Sequence, residues 1–178
     1  MTRLNVVQPE TASGQTKALF DSIAGAIGTV PNIHRGLGNS PAALEGLLQI
    51  EGSLRKASLT GAEIEAIKLA VSQAYDCNYC LAAHTLLGTK AGLPQAETIR
   101  IRRGGASQPR LAALVRFVST ALRPDGTLAD ADLAAIRQAG YTDGQIAEIT
   151  LVIGQTVFTN LFNRVNQTQL DFPPAPAL

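Results

Sequence analysis

Cys77, Cys80 and His84 stand at positions i, i+3 and i+7. In a helix, i+7 returns to within ~20° of its start and i+3 lies ~60° away, so all three side chains share one stripe. Cys80 and His84, four residues apart, are direct neighbours on such a surface. The chemistry this suggests is that of a thiol, whose reactive form is the thiolate; a helix N-terminus or a nearby base lowers the pKa that yields it. Cys77 is expected in the first turn, where orphan N–H groups favour negative charge. His84 is placed to accept a proton from Cys80, directly or through a water. One-turn separation suits Cα distances of roughly 4.4–6.8 Å, so the two cysteines could close a disulfide without large motion.

Glu65 is the fourth candidate, twelve positions ahead of Cys77 in the preceding helical stretch. If the two helices form a hairpin, the Glu65 face leans over the cysteine helix, and a carboxylate there would orient His84 or hold a relay water. The competing reading is an ordinary solvated glutamate. The helix dipole alone favours Cys77 as nucleophile, whereas a base at i+4 favours Cys80. Two thiolates, an imidazole and Glu65 could also complete a zinc tetrahedron, but structural zinc draws its cysteine pairs from separate segments and only one pair exists here, so no metal is expected. Covalent haem attachment needs histidine directly after the second cysteine, and Leu81 stands there. A thioredoxin-like site needs a βαβ setting that this chain lacks. No bound cofactor is implied.

The elements that must position these residues read as helices. Aromatics make up 4% of the 178 residues and Trp is absent. Ala and Leu fill the hydrophobic fraction, which favours helix over sandwich or barrel. Helices are expected at about 13–26, from Ser40-Pro41 onward, from the Thr60–Glu63 capping box, from Asp76 to near Gly92, and at about 94–102 and 109–122. Arg123-Pro124-Asp125-Gly126 reads as a turn, after which Thr127 caps a helix ending before Gly140. A second capping box, Thr142–Gln145, opens a long helix to about Val165, and the proline-rich tail from Asp171 is not helical. The fold class is all-α: a single domain over 1–178 with about eight helices.

Shifting the sequence by 82 positions lays Thr142 on Thr60, Ile146 on Ile64, Ile149 on Ile67, Leu151 on Leu69, Gln155 on Gln73 and Asn160 on Asn78. The pattern predicts a degenerate duplication of a helical hairpin, with a redox core at about 44–92 and a second copy at about 128–170. In the second copy Ala147 replaces Glu65, Thr159 replaces Cys77, Phe162 replaces Cys80 and Asn166 replaces His84. The bland alternative is that any two amphipathic helices align somewhat.

Glu65, eleven residues, then Cys77-x-x-Cys80-x-x-x-His84, together with an ending from Thr159 to Pro173, resembles the alkyl hydroperoxidase D-like proteins of the carboxymuconolactone decarboxylase superfamily. That resemblance implies an all-helical homo-oligomer and a thiol-dependent peroxidase, an antioxidant oxidoreductase acting on organic hydroperoxides. It implies that Cys80 attacks and becomes a sulfenic acid, that Cys77 resolves it, and that Glu65 and His84 relay the proton. It suggests a dithiol protein as electron donor, lipoyl-bearing or thioredoxin-like. Tyr79 stands where the best-known peroxidase members carry a second histidine. The decarboxylase branch generally lacks the cysteine pair, so decarboxylation ranks below a non-enzymatic redox-sensing or assembly role as the alternative.

A formal net charge of +1, with no block of like charges, argues against a nucleic-acid or membrane-surface partner. No apolar run approaches the ~18 residues that span a bilayer, and the first residues lack a secretory pattern, so a cytoplasmic location is expected. Two clustered cysteines in a reducing compartment suit redox work better than scaffolding. His34 reads as a loop histidine without a role, Tyr75 and Tyr79 as packing at helix junctions, and Arg100, Arg102 and Arg103 as a solvated helix end. Asn160, Asn163 and Asn166 are expected at exposed or subunit-contact positions.

Overall fold

The computed structural model describes residues 2–123, 125 and 127–178. Among them run nine helices and no strand: α1 (Gly14–Ile27), α2 (Asn32–Leu37), α3 (Pro41–Leu54), α4 (Gly61–Ala74), α5 (Asn78–Lys90), α6 (Gln95–Arg102), α7 (Pro109–Ala121), α8 (Asp130–Gln138) and α9 (Asp143–Asn166). No helix of the described residues is long and apolar enough to cross a membrane. Pro124 and Gly126, half of the expected turn, lie outside the described residues.

Two compact units emerge, one of residues up to 56 with 161–171, the other of residues 57–160 with 172–178. In the first, α1 and α2 both pack on α3, around Phe20, Leu37, Leu44 and Leu47. Ser40 caps α3 by accepting the Ala43 N–H at 3.3 Å, and Pro41 follows in the first turn. The additional helix is α2, in a stretch expected to be a connection. Pro31 precedes it, and the Asp171 carboxylate accepts the Asn32 N–H at 2.6 Å. A cap supplied 139 residues away leaves no local trace. His34 is therefore helical; burial pushes its pKa down to about 4, and its Nδ1 has no hydrogen-bond partner.

In the second unit α4 is central, packed by α5, α6 and α7, while α7 also packs on α8. Ala66, Ile67, Leu69, Val71 and Ser72 are all fully buried, so α4 is covered on every side, as befits a helix inside a core. Fully burying side chains such as Ile67 and Leu69 contributes about 2 kcal/mol each. The helix begins at a complete capping box. Thr60 Oγ1 accepts the Glu63 N–H at 3.2 Å, and Glu63 Oε2 accepts the Thr60 N–H at 2.9 Å. Glu63 Oε1 also accepts from Tyr141 Oη at 2.8 Å and Arg110 Nε at 3.1 Å, and the Arg110 guanidinium lies 3.8 Å from the Tyr141 ring centroid. One carboxylate thus ties α4, α7 and the segment before α9 together.

Three expectations are corrected. Helix α8 starts at Asp130 rather than being capped by Thr127, because Asp132 Oδ2 accepts the Ala129 N–H at 2.9 Å. Asn160, Asn163 and Asn166 are buried: Asn160 Nδ2 donates to Thr156 O at 2.7 Å, and Asn166 Oδ1 accepts the Leu4 N–H at 3.1 Å. The stretch aligned with the α4–α5 hairpin is the single helix α9, not a second hairpin.

Candidate active site

The site begins where α4 stops. Asp76 turns to φ +50, the left-handed region that a short polar side chain tolerates. Its N–H donates to Gln73 O at 3.2 Å and that of Cys77 to Ser72 O at 3.1 Å, the paired bonds of a Schellman C-terminus. The chain is delivered at once to Cys77, which is the N-cap of α5 rather than a first-turn residue. Its Sγ accepts the Cys80 N–H at 3.3 Å, a sulfur in the role usually taken by serine or aspartate oxygen. Cys77 and Cys80 are joined in a disulfide with their Cα atoms 5.3 Å apart, and both are buried, at 3% and 2% exposure.

His84 lies one turn further along α5. Its Nδ1 stands 2.9 Å from Glu65 Oε2 across the α4–α5 contact. Gly88, one turn beyond, lies close to the same surface of α4: a Cβ there would meet the Glu65 Cβ at 3.6 Å, an ordinary contact, and Leu93 at 3.3 Å. Glu65 is buried rather than solvated. Burial pushes its pKa up, but His84 first and Lys68 second outweigh that and hold the carboxyl below its ordinary value. An ionised carboxylate accepts, so the imidazole donates through Nδ1–H and leaves Nε2 as the basic nitrogen.

Cys77, Cys80, His84 and Glu65 are thus brought onto one pair of packed helices. Lys68 was missed: its Nζ lies 3.4 Å from Glu65 Oε1, and both side chains are almost buried. The readable signal was the opposite charge three residues on. Tyr79, between the cysteines, is buried and meets Phe172 of the tail edge-on, with centroids 5.5 Å apart. Of the arginine cluster, Arg100 and Arg103 are exposed, but Arg102 is partly buried and donates to Gln73 Oε1 at 2.9 Å and Pro176 O at 2.6 Å. Among the described residues no group of three or more His, Cys, Asp and Glu is placed to hold a metal ion.

Residues 41–121, which include Glu65, Lys68, Cys77, Cys80 and His84, match the carboxymuconolactone decarboxylase family. No curated protein matches the sequence. Among solved structures, an alkylhydroperoxidase AhpD core protein from Ralstonia eutropha, described as an uncharacterized peroxidase-related protein, superposes with a TM-score of 0.86 at 20% identity, covering 96% of this chain and 92% of that one. A peroxidase-related protein from Silicibacter sp. gives 0.80 at 21% identity, with 98% and 95% covered. The debrominase Bmp8, as a cysteine-to-alanine variant in complex with 2,3,4-tribromopyrrole, gives 0.81 at 16% identity, with 96% and 92% covered. In fold the resemblance drawn from the motif is borne out: the chain has the alkyl hydroperoxidase D-like fold, and its residues 41–121 are similar to the carboxymuconolactone decarboxylase family.

Proposed function

We propose that the protein is a thiol-dependent peroxidase that reduces organic hydroperoxides. The observation that carries this reading is a cysteine pair closed into a disulfide at the start of α5, one turn before a histidine held by a buried glutamate. In the reduced protein His84 Nε2 takes the proton from Cys80. The Cys80 thiolate attacks the terminal peroxide oxygen, the O–O bond breaks, and the alkoxide leaves with a proton as an alcohol, oxidising Cys80 to a sulfenic acid. Cys77, its sulfur already facing the Cys80 N–H, attacks that sulfenic sulfur; water leaves and the disulfide forms. Two electrons from an external dithiol, lipoyl-bearing or thioredoxin-like, then return it to thiols. A reducing compartment supplies such a donor.

Stopped-flow reduction of an organic hydroperoxide against a panel of dithiol donors tests the proposal. Multiple turnover in the wild type is expected, and Cys77→Ser should accumulate a sulfenic acid that dimedone traps. No peroxide consumption with any donor overturns it. 2,3,4-Tribromopyrrole is the comparison substrate: bromide release faster than peroxide loss would move the chemistry from oxygen to halogen. A redox-dependent mass without turnover would favour the sensing role.

A further inference from the structure

The buried carboxylate of Glu65 has two oxygens and two different partners. Oε2 faces His84 Nδ1 at 2.9 Å, and Oε1 faces Lys68 Nζ at 3.4 Å. The three side chains are 10%, 14% and 13% exposed for Glu65, His84 and Lys68. We infer that Lys68 is a positioning residue of the cysteine site: by holding Oε1 it leaves Oε2 to His84, and it supplies the positive charge that balances the buried carboxylate behind the histidine that serves Cys80.

The physical need is plain. A carboxylate taken out of water without a counter-charge tends to pick up a proton, and a protonated Glu65 would hold the imidazole only through a weaker, neutral hydrogen bond. An unbalanced negative charge would also oppose the appearance of a second one on sulfur. Lys68 answers both through the carboxylate. Other charged groups on the neighbouring helices are engaged or exposed. Glu63 of α4 binds Arg110 of α7, and Arg116 of α7 is exposed. On α6, Glu97 accepts from Ser107 N and faces Arg100, while Arg102 binds Gln73 and Pro176. Lys90, ending α5, and Asp76, before it, are exposed. The Coulombic partners of Glu65 are His84 and Lys68.

The inference rests on the proposed reading only in taking Cys80 as the sulfur served by His84; it does not require the oxidant to be a peroxide. The test is the pH dependence of iodoacetamide alkylation of reduced Cys80 in a Cys77→Ser background, alongside peroxide turnover with Cys77 present. Removing a cation makes every proton in the cluster harder to lose, so Lys68→Met should move the alkylation midpoint up by about one pH unit. Lys68→Arg, which keeps the charge, should restore it. Glu65→Gln should move the midpoint down, and the double variant Glu65→Gln/Lys68→Met should return it toward the parent. If Lys68→Met does not fold, Lys68→Gln carries the same expectation. An unchanged midpoint in the neutral variant, or equal slowing by Met and Arg without a shift, overturns the inference. A shifted midpoint in a protein that consumes no peroxide retains it and discards the peroxidase; an unshifted midpoint in an active peroxidase does the reverse.

Discussion

Two stretches of this chain begin alike and end differently. The Thr60–Glu63 box that opens α4 has its counterpart 82 residues later, where Gln145 Oε1 accepts the Thr142 N–H at 3.1 Å and Thr142 Oγ1 accepts the Gln145 N–H at 3.2 Å. Register holds for fourteen positions and then parts. Tyr75-Asp76-Cys77 ends one helix and starts another, whereas Val157-Phe158-Thr159 continues α9 without interruption. An aspartate accepts the left-handed conformation at the break; a phenylalanine at the equivalent place does not. The consequence is chemical. Interrupting a helix exposes a fresh set of unpaired N–H groups, and Cys77 sits on them. In α9 the equivalent Thr159 instead returns its hydroxyl to Thr156 O at 2.9 Å. A local break, rather than the shared apolar pattern, separates the segment that carries the disulfide from one that continues as plain helix.

That contrast can be attacked at several points. The largest effect is expected from Cys80→Ser, which should abolish peroxide consumption in stopped-flow assays and leave α5 as inert as α9, where Phe162 stands at that position. Wild-type turnover in the variant would erase the distinction. Next come the two start signals. Glu63→Ala leaves the Tyr141 hydroxyl and Arg110 without their acceptor and should cost about 3 kcal/mol in urea unfolding. Gln145→Ala, on an exposed cap, should cost about 0.5–1 kcal/mol; equal losses would mean that the boxes are equivalent.

Acidification separates them too. Burial pushes the Glu63 pKa up, but hydrogen bonds from Thr60, Tyr141 and Arg110 bring it below its ordinary value of 4.5. Such a group adds stability above that pH and loses it as pH falls through the lower folded value. Glu63→Gln should therefore flatten the loss of stability below about pH 4.5, measured by thermal unfolding against pH. The α9 box, built on an amide, has nothing to titrate. Of the same small size as the exposed cap is a pair of glycine substitutions of opposite sign. Asp76→Gly relieves a left-handed position and should raise stability by about 0.5 kcal/mol, whereas Phe158→Gly, inside a helix, should lower it by about 1 kcal/mol. Two changes of the same sign would show that the break owes nothing to Asp76.

What could be read beforehand was what neighbours in sequence decide. Both capping boxes, the Ser40-Pro41 start and the stripe of Cys77, Cys80 and His84 depend on spacings of three, four and seven residues. The Glu65–His84 pair was legible only on the condition that the two helices fold back on each other, and it is their packing that meets it. Distant partners were invisible. Asp171 starts α2 and Asn160 reaches Ser72 from within a core, while the left-handed turn at Asp76 that makes Cys77 a cap carries no glycine to announce it. Lys68 hid among apolar neighbours, where a lysine ordinarily snorkels to water.

The tail has a practical corollary. Phe172 leans on the tyrosine between the two cysteines, and four residues later the Pro176 carbonyl is grasped by Arg102. A purification handle fused behind Leu178, or a carboxypeptidase trimming the last three residues, would tug on the tail that packs against the tyrosine between the two cysteines. Kinetics gathered on such material would report the handle as much as the thiols, and a design that leaves this end untouched gives the fairer measurement.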